Sequence, residues 1–313
     1  MQSLVICGPT ASGKTDLALA IAHQTDGVII SADSRQVYKH LTIGTAKPQG
    51  NYQNGIYTVD GVPYLLVDFV EVTDRFDAGT FCKLAQEISA RFKGRQLIFT
   101  GGTGLYLQAY FVGMDPLPSS TPQTREKLLK LLQLHGKEGL HNALAQKDPI
   151  SAKQIPLGNV QRTMRALELC MLTGKPASLL KSGAFFKLPD PAKSHWVYLD
   201  WEKDSLNARI AARTEQIFDA MATEAQTLLA EGFSPDIPAL KTLGYPQAIA
   251  YLNHTLSRTQ AVADVVLKTR QYAKRQRTWF NRYTNAQRLT LIRPSDFNTQ
   301  KIAQDVLSCA SKN

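Results

Sequence analysis

Eight consecutive residues near the start of the chain, Gly8-Pro9-Thr10-Ala11-Ser12-Gly13-Lys14-Thr15, match the phosphate-loop pattern G-x-x-x-x-G-K-[ST] at every fixed position. Residues 4–7 before them form an apolar run typical of a buried strand, and residues 16–24 after them are apolar at helical spacing. A strand, a glycine-rich turn and a helix are the context in which such a loop binds phosphate through its backbone N–H groups. The loop therefore predicts binding of a diphosphate or triphosphate, with Lys14 as a point charge and the Thr15 hydroxyl as a ligand for Mg²⁺.

The hydrophobic pattern of the whole chain predicts an α/β fold. Strands alternate with helices over residues 1–112, residues 123–182 follow helical periodicity alone, and three prolines among residues 115–122 separate the two stretches. Further strands are expected at 28–30, 64–67, 96–100 and 195–199, and long helices at 204–231 and 259–283. We therefore predict a P-loop NTPase-like parallel sheet flanked by helices, formed by residues 1–118 and 190–313, with a helical insertion domain at 119–189.

Composition limits the class of protein without identifying a partner. The 313 residues include 36 Lys and Arg against 26 Asp and Glu, and this net charge of +10 suits either a nucleic-acid partner or an ordinary basic enzyme. The four cysteines, Cys7, Cys82, Cys170 and Cys309, lie far apart, which argues against a zinc site or a disulfide framework. Neither a membrane span nor a signal peptide is predicted, so we expect a cytoplasmic protein. We also expect it to be a monomer.

The sequence Asp33-Ser34-Arg35-Gln36 follows the second predicted strand. Ligands of open α/β sheets bind outside the carboxyl ends of the strands, so Asp33 is predicted to face the same crevice as the phosphate loop. A carboxylate there can coordinate Mg²⁺ or accept a proton from a nucleophile. Because Asp and Ser also cap helices, a purely structural role is the alternative. The position at a strand end favours the functional role.

A second glycine-rich turn, Gly101-Gly102-Thr103-Gly104, follows the strand at 96–100 and allows the backbone to approach a ligand closely. No aspartate ends this strand, whereas an ATP-hydrolysing loop usually has a metal-holding aspartate there, and Asp68 lies inside a strand pattern. These observations disfavour an RNA-stimulated NTPase. A P-loop small-molecule kinase stays open as an alternative, because kinases commonly combine such a loop with a lid-like insertion.

The last long helix is strongly basic. Eight Lys and Arg but no acidic residue occur between positions 268 and 293, and Tyr272, Trp279, Phe280 and Tyr283 are interleaved with them. Basic and aromatic side chains together are usual in contacts with RNA, although a solvated charge run is the alternative.

Two pairs of arginines each share one face of a predicted helix. Arg209 and Arg213 could bind a diphosphate from the side opposite Lys14, but the spacing alone favours surface ion pairing. For Arg162 and Arg165 in the helical insertion, a salt bridge to Glu168 is the favoured interpretation.

Seven stretches of the chain, taken in order, resemble tRNA dimethylallyltransferases, the isopentenyl-diphosphate:tRNA transferase family. They are the phosphate loop, SADSRQVYKHLTIGTAKP (31–48), GGTGLYL (101–107), DPLPS (115–119), QRTMRALE (161–168), LGYPQ (243–247) and TRQYAKRQRTW (269–279). The resemblance implies transfer of a dimethylallyl group from dimethylallyl diphosphate to the exocyclic N6 amine of the adenosine 3′ of the anticodon in tRNA. The phosphate loop then holds the departing diphosphate and not ATP.

The resemblance also implies roles for single residues. Asp33 acts as the general base, Thr10, Lys14 and Arg213 assist departure of the diphosphate, and Thr15 holds Mg²⁺. The implied contacts with the anticodon stem-loop of tRNA are Asp33, Ser34, Arg35, Gln36, Thr103, Arg125, Gln161, Arg162, Arg165, Lys274, Arg275 and Gln276. Two positions depart from the family pattern, because Pro246 stands where many relatives carry a basic residue and Asn281 stands where many carry Arg.

Overall fold

The computed structural model of the protein describes residues 2–180 and 187–310. In this part of the chain, one sheet contains eight strands: β1 (Ser3–Cys7), β2 (Val28–Ser31), β3 (Asn51–Gln53), β4 (Ile56–Val59), β5 (Val62–Leu65), β6 (Leu97–Gly101), β7 (Ser194–Trp201) and β8 (Gln287–Leu291). Their order is β3-β4-β5-β2-β6-β1-β7-β8. The six strands from β5 to β8 in this order run parallel, whereas β3 and β4 form an antiparallel edge. The predicted parallel α/β fold is confirmed.

Ten α-helices occur in the same described residues. They are α1 (Lys14–Thr25), α2 (Ala78–Arg91), α3 (Gly104–Phe111), α4 (Pro122–Lys147), α5 (Pro149–Gln154), α6 (Val160–Thr173), α7 (Lys203–Ala230), α8 (Tyr245–Leu252), α9 (Arg258–Phe280) and α10 (Thr299–Ala310). Helix α4 is interrupted at Gly136, whose φ of 64° lies in the left-handed region. Among the described residues, no helix is both long enough and apolar enough to cross a bilayer.

The chain divides into two compact units, Met1–Val112 with Leu188–Asn313, and Gly113–Lys187. The first unit contains the sheet with α1–α3 and α7–α10, and the second contains α4–α6. The second unit has its own apolar core, which includes Leu140, Leu144 and Leu167. The sequence predicts that residues 119–189 are an insertion domain. That these units are independent domains stays a prediction.

The strands of the sheet differ from the sequence-based prediction in two respects. The strand predicted at 64–67 is Val62–Leu65, because Leu66 and Asp68 adopt left-handed φ values of 60° and 57° that end the extended backbone. The hairpin of β3 and β4 and the edge strand β8 were not predicted. Strand β3 is exposed along its whole length, so it carries no alternating apolar signal.

The parallel sheet determines where the functional loops lie. Strand β1 pairs with β6 on one side and with β7 on the other, and β2 pairs with β6. Because these strands point the same way, the loops that follow their carboxyl ends meet at one edge of the sheet. These loops are the phosphate loop, the Asp33 turn and the second glycine-rich turn.

Candidate active site

A cavity of about 710 Å³ lies at this edge of the sheet. Its wall contains the phosphate loop from Thr10 onward, together with Asp33, Gly101 and Gly102. Further side chains that line it come from other parts of the sequence: Gln36, Tyr64, Arg209, Arg213, Tyr272 and Gln276. The fold therefore brings the predicted diphosphate site and the predicted base into one cavity.

Two side chains hold the backbone of the phosphate loop in place, and one of them, Arg209, also lines the cavity. The Arg209 guanidinium donates from Nε to the Ala11 carbonyl at 2.8 Å, and the Trp201 indole donates to the Ser12 carbonyl at 2.9 Å. Arg209 also stacks over the Trp201 ring, 4.4 Å from its centroid. The surface ion pairing that the sequence favoured for Arg209 is wrong, because its charge is used against the loop and the indole.

Arg213, one helical turn after Arg209 on α7, lines the cavity and forms no ion pair within the described residues. The surface pairing expected from its spacing is therefore wrong here too. Burial lowers the pKa of its guanidinium, and the attraction of Asp33 opposes that shift. The unpaired cation makes this wall of the cavity suitable for an anion.

Lys14 begins α1 and lies half-buried in the cavity wall. Its ammonium donates to the Pro9 carbonyl at 2.6 Å and to the Ser12 hydroxyl at 3.4 Å. Burial lowers the pKa of this amine to about 8; Arg213 acts in the same direction and Asp33 opposes it. Because a bound anion favours the charged form of lysine, diphosphate binding is coupled to the protonation of Lys14.

Asp33 follows β2 and presents a half-buried carboxylate to the cavity. Its Oδ1 atom accepts hydrogen bonds from the backbone N–H groups of Arg35 at 2.8 Å and Gln36 at 3.3 Å. This turn resembles the capping role considered as the alternative, but it uses only one carboxylate oxygen. Within the described residues, Oδ2 accepts no hydrogen bond, so it is available to a ligand in the cavity.

Thr15 lines the cavity at the first turn of α1. Its hydroxyl oxygen is a type of ligand that Mg²⁺ accepts. The buried Tyr64 side chain lines the same cavity. The described residues contain no group of three or more His, Cys, Asp or Glu arranged to hold a metal ion. A threonine hydroxyl with few other protein donors suits Mg²⁺ coordinated mainly by phosphate oxygens.

The second glycine-rich turn is packed against α9. The Thr103 hydroxyl accepts from the Ser34 backbone N–H at 3.0 Å. Burial raises the pKa of Tyr272 to about 12, so this phenol stays protonated near neutral pH. Tyr272 lines the cavity, and Thr103 holds the Ser34 backbone next to Asp33.

Gln36, predicted as a tRNA contact, is 9% exposed. Its side-chain amide donates to the Ala46 carbonyl at 2.8 Å and accepts from the Ser31 hydroxyl at 3.3 Å. The residue therefore joins the Asp33 turn to the neighbouring wall of the cavity, and little of it is left for RNA.

The LGYPQ motif holds that same wall from behind. The Tyr245 phenol donates to the Glu224 carboxylate at 2.6 Å. Glu224 also accepts from three successive backbone N–H groups, those of Thr42, Ile43 and Gly44, at 2.6–3.1 Å. The next residues of this segment line the cavity. The motif thus shapes the site without entering it.

The basic region at the C-terminal end of the chain is only partly free to bind RNA. Lys268 pairs with Asp264 at 2.8 Å, and both Arg277 and Arg288 pair with Asp200. Lys274 and Arg275 are exposed, and neither forms an ion pair with another described residue. The alternative interpretation, a solvated charge run, thus holds for part of the helix only.

Two of the four aromatic residues of this region are buried and are therefore not available for RNA stacking. Tyr272 lines the cavity instead, so the RNA-stacking interpretation stays a prediction for that residue. Phe280 and Tyr283 are 1% and 3% exposed and belong to the core of the first unit. Trp279 packs against Gly104, where a Cβ would lie 2.2 Å from the indole ring. Aromatic side chains at helical spacing have here been used for packing, the more common role.

In the second unit, the favoured salt bridge to Glu168 is confirmed for Arg165, at 3.4 Å. Arg125 shares the same buried carboxylate at 3.5 Å. Gln161 and Arg162 are exposed. The roles of these four residues in tRNA binding stay predictions.

Both departures from the family pattern have a structural explanation. Pro246 lies in the first turn of α8, where the missing N–H is not needed for the helix. Asn281 accepts from the Arg288 guanidinium at 3.0 Å and so helps to hold the arginine that pairs with Asp200.

The chain is similar to known proteins over nearly its whole length. A family model described as IPP transferase matches residues 36–283. The tRNA dimethylallyltransferase of Elusimicrobium minutum is 46% identical over 286 residues, which cover 91% of this chain and 92% of the relative. The enzyme of the same name from Myxococcus xanthus is 38% identical over 285 residues, or 90% of each chain.

Two solved structures are also similar to this chain over nearly its whole length. The tRNA isopentenylpyrophosphate transferase of Bacillus halodurans has a TM-score of 0.66 at 28% identity, covering 99% of this chain and 97% of that one. A eukaryotic dimethylallyltransferase acting on tRNA has a TM-score of 0.73 at 23% identity, covering 98% of this chain and 80% of that one, which shows the fold alone. The predicted family and P-loop-like fold are confirmed, and the kinase alternative is not favoured. The chain belongs to the IPP transferase family and is an enzyme of the transferase class.

Proposed function

We propose that the protein transfers a dimethylallyl group from dimethylallyl diphosphate to the exocyclic N6 amine of the adenosine 3′ of the anticodon in tRNA. The observation that carries this proposal is the single cavity in which the Asp33 carboxylate faces a phosphate loop and the cations Lys14 and Arg213. A kinase needs the loop and the cations as well. It can also use a strand-end carboxylate, as a base or a metal ligand, but it does not need a helix that presents cations such as Lys274 and Arg275 to the surface.

The reaction follows from these groups. The allylic C–O bond breaks, and the departing diphosphate keeps its electron pair while Lys14 and Arg213 neutralise the charge that develops. The N6 lone pair forms the new bond to the allylic carbon, and Oδ2 of Asp33 accepts the proton that N6 loses. Diphosphate is a good leaving group once its charge is neutralised, so positioning and electrostatic stabilisation supply most of the rate enhancement.

Mg²⁺ is proposed as the cofactor, held by the Thr15 hydroxyl and by diphosphate oxygens. When bound, it supplies additional neutralisation of the leaving group.

The proposed macromolecular partner is tRNA. An adenine stacked in the anticodon loop is inaccessible, so the enzyme must take the base out of the stack to bring N6 to Asp33. Surface residues that are proposed to contact the anticodon stem-loop are Ser34, Arg35, Arg125, Gln161, Arg162, Arg165, Lys274 and Arg275. We propose that the protein acts in the cytoplasm as a monomer.

A nucleoside analysis tests the proposed function. The protein is incubated with unmodified tRNA, dimethylallyl diphosphate and Mg²⁺, and the digested tRNA is analysed by mass spectrometry. We expect dimethylallyl adenosine at the position 3′ of the anticodon and an equal amount of diphosphate, without any need for ATP. In a parallel reaction, ATP replaces the prenyl donor. Absence of the modified nucleoside with folded protein, or phosphoryl transfer in the parallel reaction, would contradict the proposal.

The pKa of Lys14 predicts how diphosphate binding depends on pH. In the free protein this amine loses its proton as the pH rises through about 8, and only the charged form attracts the anion. Affinity for magnesium pyrophosphate, measured by calorimetry, should therefore fall by about tenfold between about pH 7 and about pH 9. The Lys14→Met variant should bind magnesium pyrophosphate weakly, and its affinity should not show this fall. Because pyrophosphate itself titrates equally in both experiments, the difference between the two proteins reports Lys14 alone. Parallel pH profiles for the two proteins would refute the assignment.

A further inference from the structure

Gln276 lies on α9 among the residues proposed to face tRNA, yet the fold turns it inward. Its side chain is 5% exposed and lines the cavity of the phosphate loop. Two positions earlier on the same helix, Lys274 is exposed. One helix therefore presents a cation to the surface and an amide to the diphosphate site.

Both ends of the Gln276 amide are used. The Oε1 atom accepts from the backbone N–H of Thr10 at 2.8 Å, and Nε2 donates to the Gly102 carbonyl at 2.9 Å. The amide thus joins the start of the phosphate loop to the second glycine-rich turn. Thr10 is 266 residues and Gly102 is 174 residues away from Gln276 in the sequence, so this link exists only in the folded protein.

The contact with Gly102 explains why glycine occupies that position. A Cβ at residue 102 would lie 2.1 Å from Nε2 of Gln276 and would displace the amide, while the nearest backbone atom, the Gly8 carbonyl oxygen, is 3.8 Å away. The backbone of Gly102 lies outside the left-handed region, so alanine is conformationally allowed there. The glycine is needed for the approach of the amide and not for the turn itself.

We propose that Gln276 is a positioning residue for the diphosphate and not a contact for tRNA. By accepting the Thr10 N–H, it orients the peptide that carries the Thr10 side chain into the cavity. By donating to Gly102, it sets the distance between the diphosphate loop and the turn beside Asp33. This inference rests on the proposed function, because it assigns the residue to the diphosphate side of that reaction.

Two binding measurements separate the two roles. Dissociation constants for magnesium pyrophosphate alone and for unmodified tRNA alone are measured for the wild type, Gln276→Leu, Gly102→Ala and the double variant. Losing the hydrogen bond that orients Thr10 should weaken pyrophosphate binding by about tenfold in either single variant. Binding of tRNA should stay within about twofold. Lys274→Gln, on the same helix, is the matched control and should show the reverse pattern.

The double variant tests whether the two positions act through one contact. If they do, it should bind pyrophosphate no more weakly than the weaker single variant. Gly102→Ala leaves α9 unchanged, so it still tests the contact if Gln276→Leu does not fold. Weaker tRNA binding with unchanged pyrophosphate binding in Gln276→Leu, or additive losses in the double variant, would overturn the inference. A wild type that binds neither ligand would instead contradict the proposed function.

Discussion

Replacing Asp33 with asparagine is expected to reduce prenyl transfer by about 10²–10⁴-fold, the contribution usual for a general base. The amide lacks a carboxylate that can accept the N6 proton. It retains an oxygen that can accept the backbone N–H groups of Arg35 and Gln36, as Oδ1 of Asp33 does at 2.8 and 3.3 Å. The turn should therefore survive, and only the chemistry should be lost.

The affinity for pyrophosphate distinguishes this role from the alternatives. Because the Asp33 carboxylate repels a bound anion, removal of its charge should leave pyrophosphate binding unchanged or slightly tighter. Asp33 also raises the pKa of Lys14, so the comparison is made well below pH 8, where Lys14 stays charged. Single-turnover transfer and pyrophosphate calorimetry on the same preparation measure the two effects. Asp33→Ala, which also removes the turn, should lose stability in addition to activity. An equal loss of transfer and of pyrophosphate binding in Asp33→Asn would make the residue a metal ligand or a structural group.

Replacing Arg213 with glutamine is expected to lower kcat/KM by about 10²–10³-fold, because a preorganised charge on the leaving group is lost from a partly buried site. Among the described residues Arg213 forms no ion pair, so its removal breaks no internal bridge and the thermal stability should change little. Pyrophosphate binding should weaken together with the rate.

Arg209 provides a matched control, one turn away on the same helix. It holds the Ala11 carbonyl and stacks on Trp201, so Arg209→Gln should destabilise the protein by about 1–2 kcal/mol. Arg209 also lines the cavity, but its effect on transfer should be the smaller of the two, since its guanidinium is engaged by the Ala11 carbonyl and the Trp201 ring. Thermal denaturation and steady-state kinetics on both variants check these expectations. A larger kinetic loss in the Arg209 variant would exchange the two roles.

The sequence predicted the parts of the site that are built from neighbouring residues. The phosphate loop needs one strand, one turn and one helix in succession, so its eight residues carry the whole signal. The position of Asp33 could be predicted because a parallel sheet places all carboxyl ends of its strands at one edge. The resemblance to a family then indicated the reaction, and the comparisons confirmed the family.

Other features could not be predicted because their signal is ambiguous along the chain. Aromatic residues interleaved with arginines in and after α9 are compatible with RNA stacking and with packing, and only the burial of Phe280 and Tyr283 shows that these two are used for packing. The spacing of Arg209 and Arg213 likewise suited surface pairing, a diphosphate site or a structural contact. The LGYPQ motif gave no indication of its partner, which lies 21 residues before Tyr245 on another helix.

By itself, the amino-acid sequence determined the phosphate loop, the alternation of strands and helices and the family, since each depends on local spacing or on similarity along the chain. Only the tertiary structure decided that Arg213 faces the cavity without an ion pair, that Arg209 holds the loop, and that Gln276 lies inside the site. The physical reason is that these roles depend on contacts such as the one between Thr10 and Gln276. Those two residues are 266 positions apart, and only packing of α9 against the edge of the sheet brings them together.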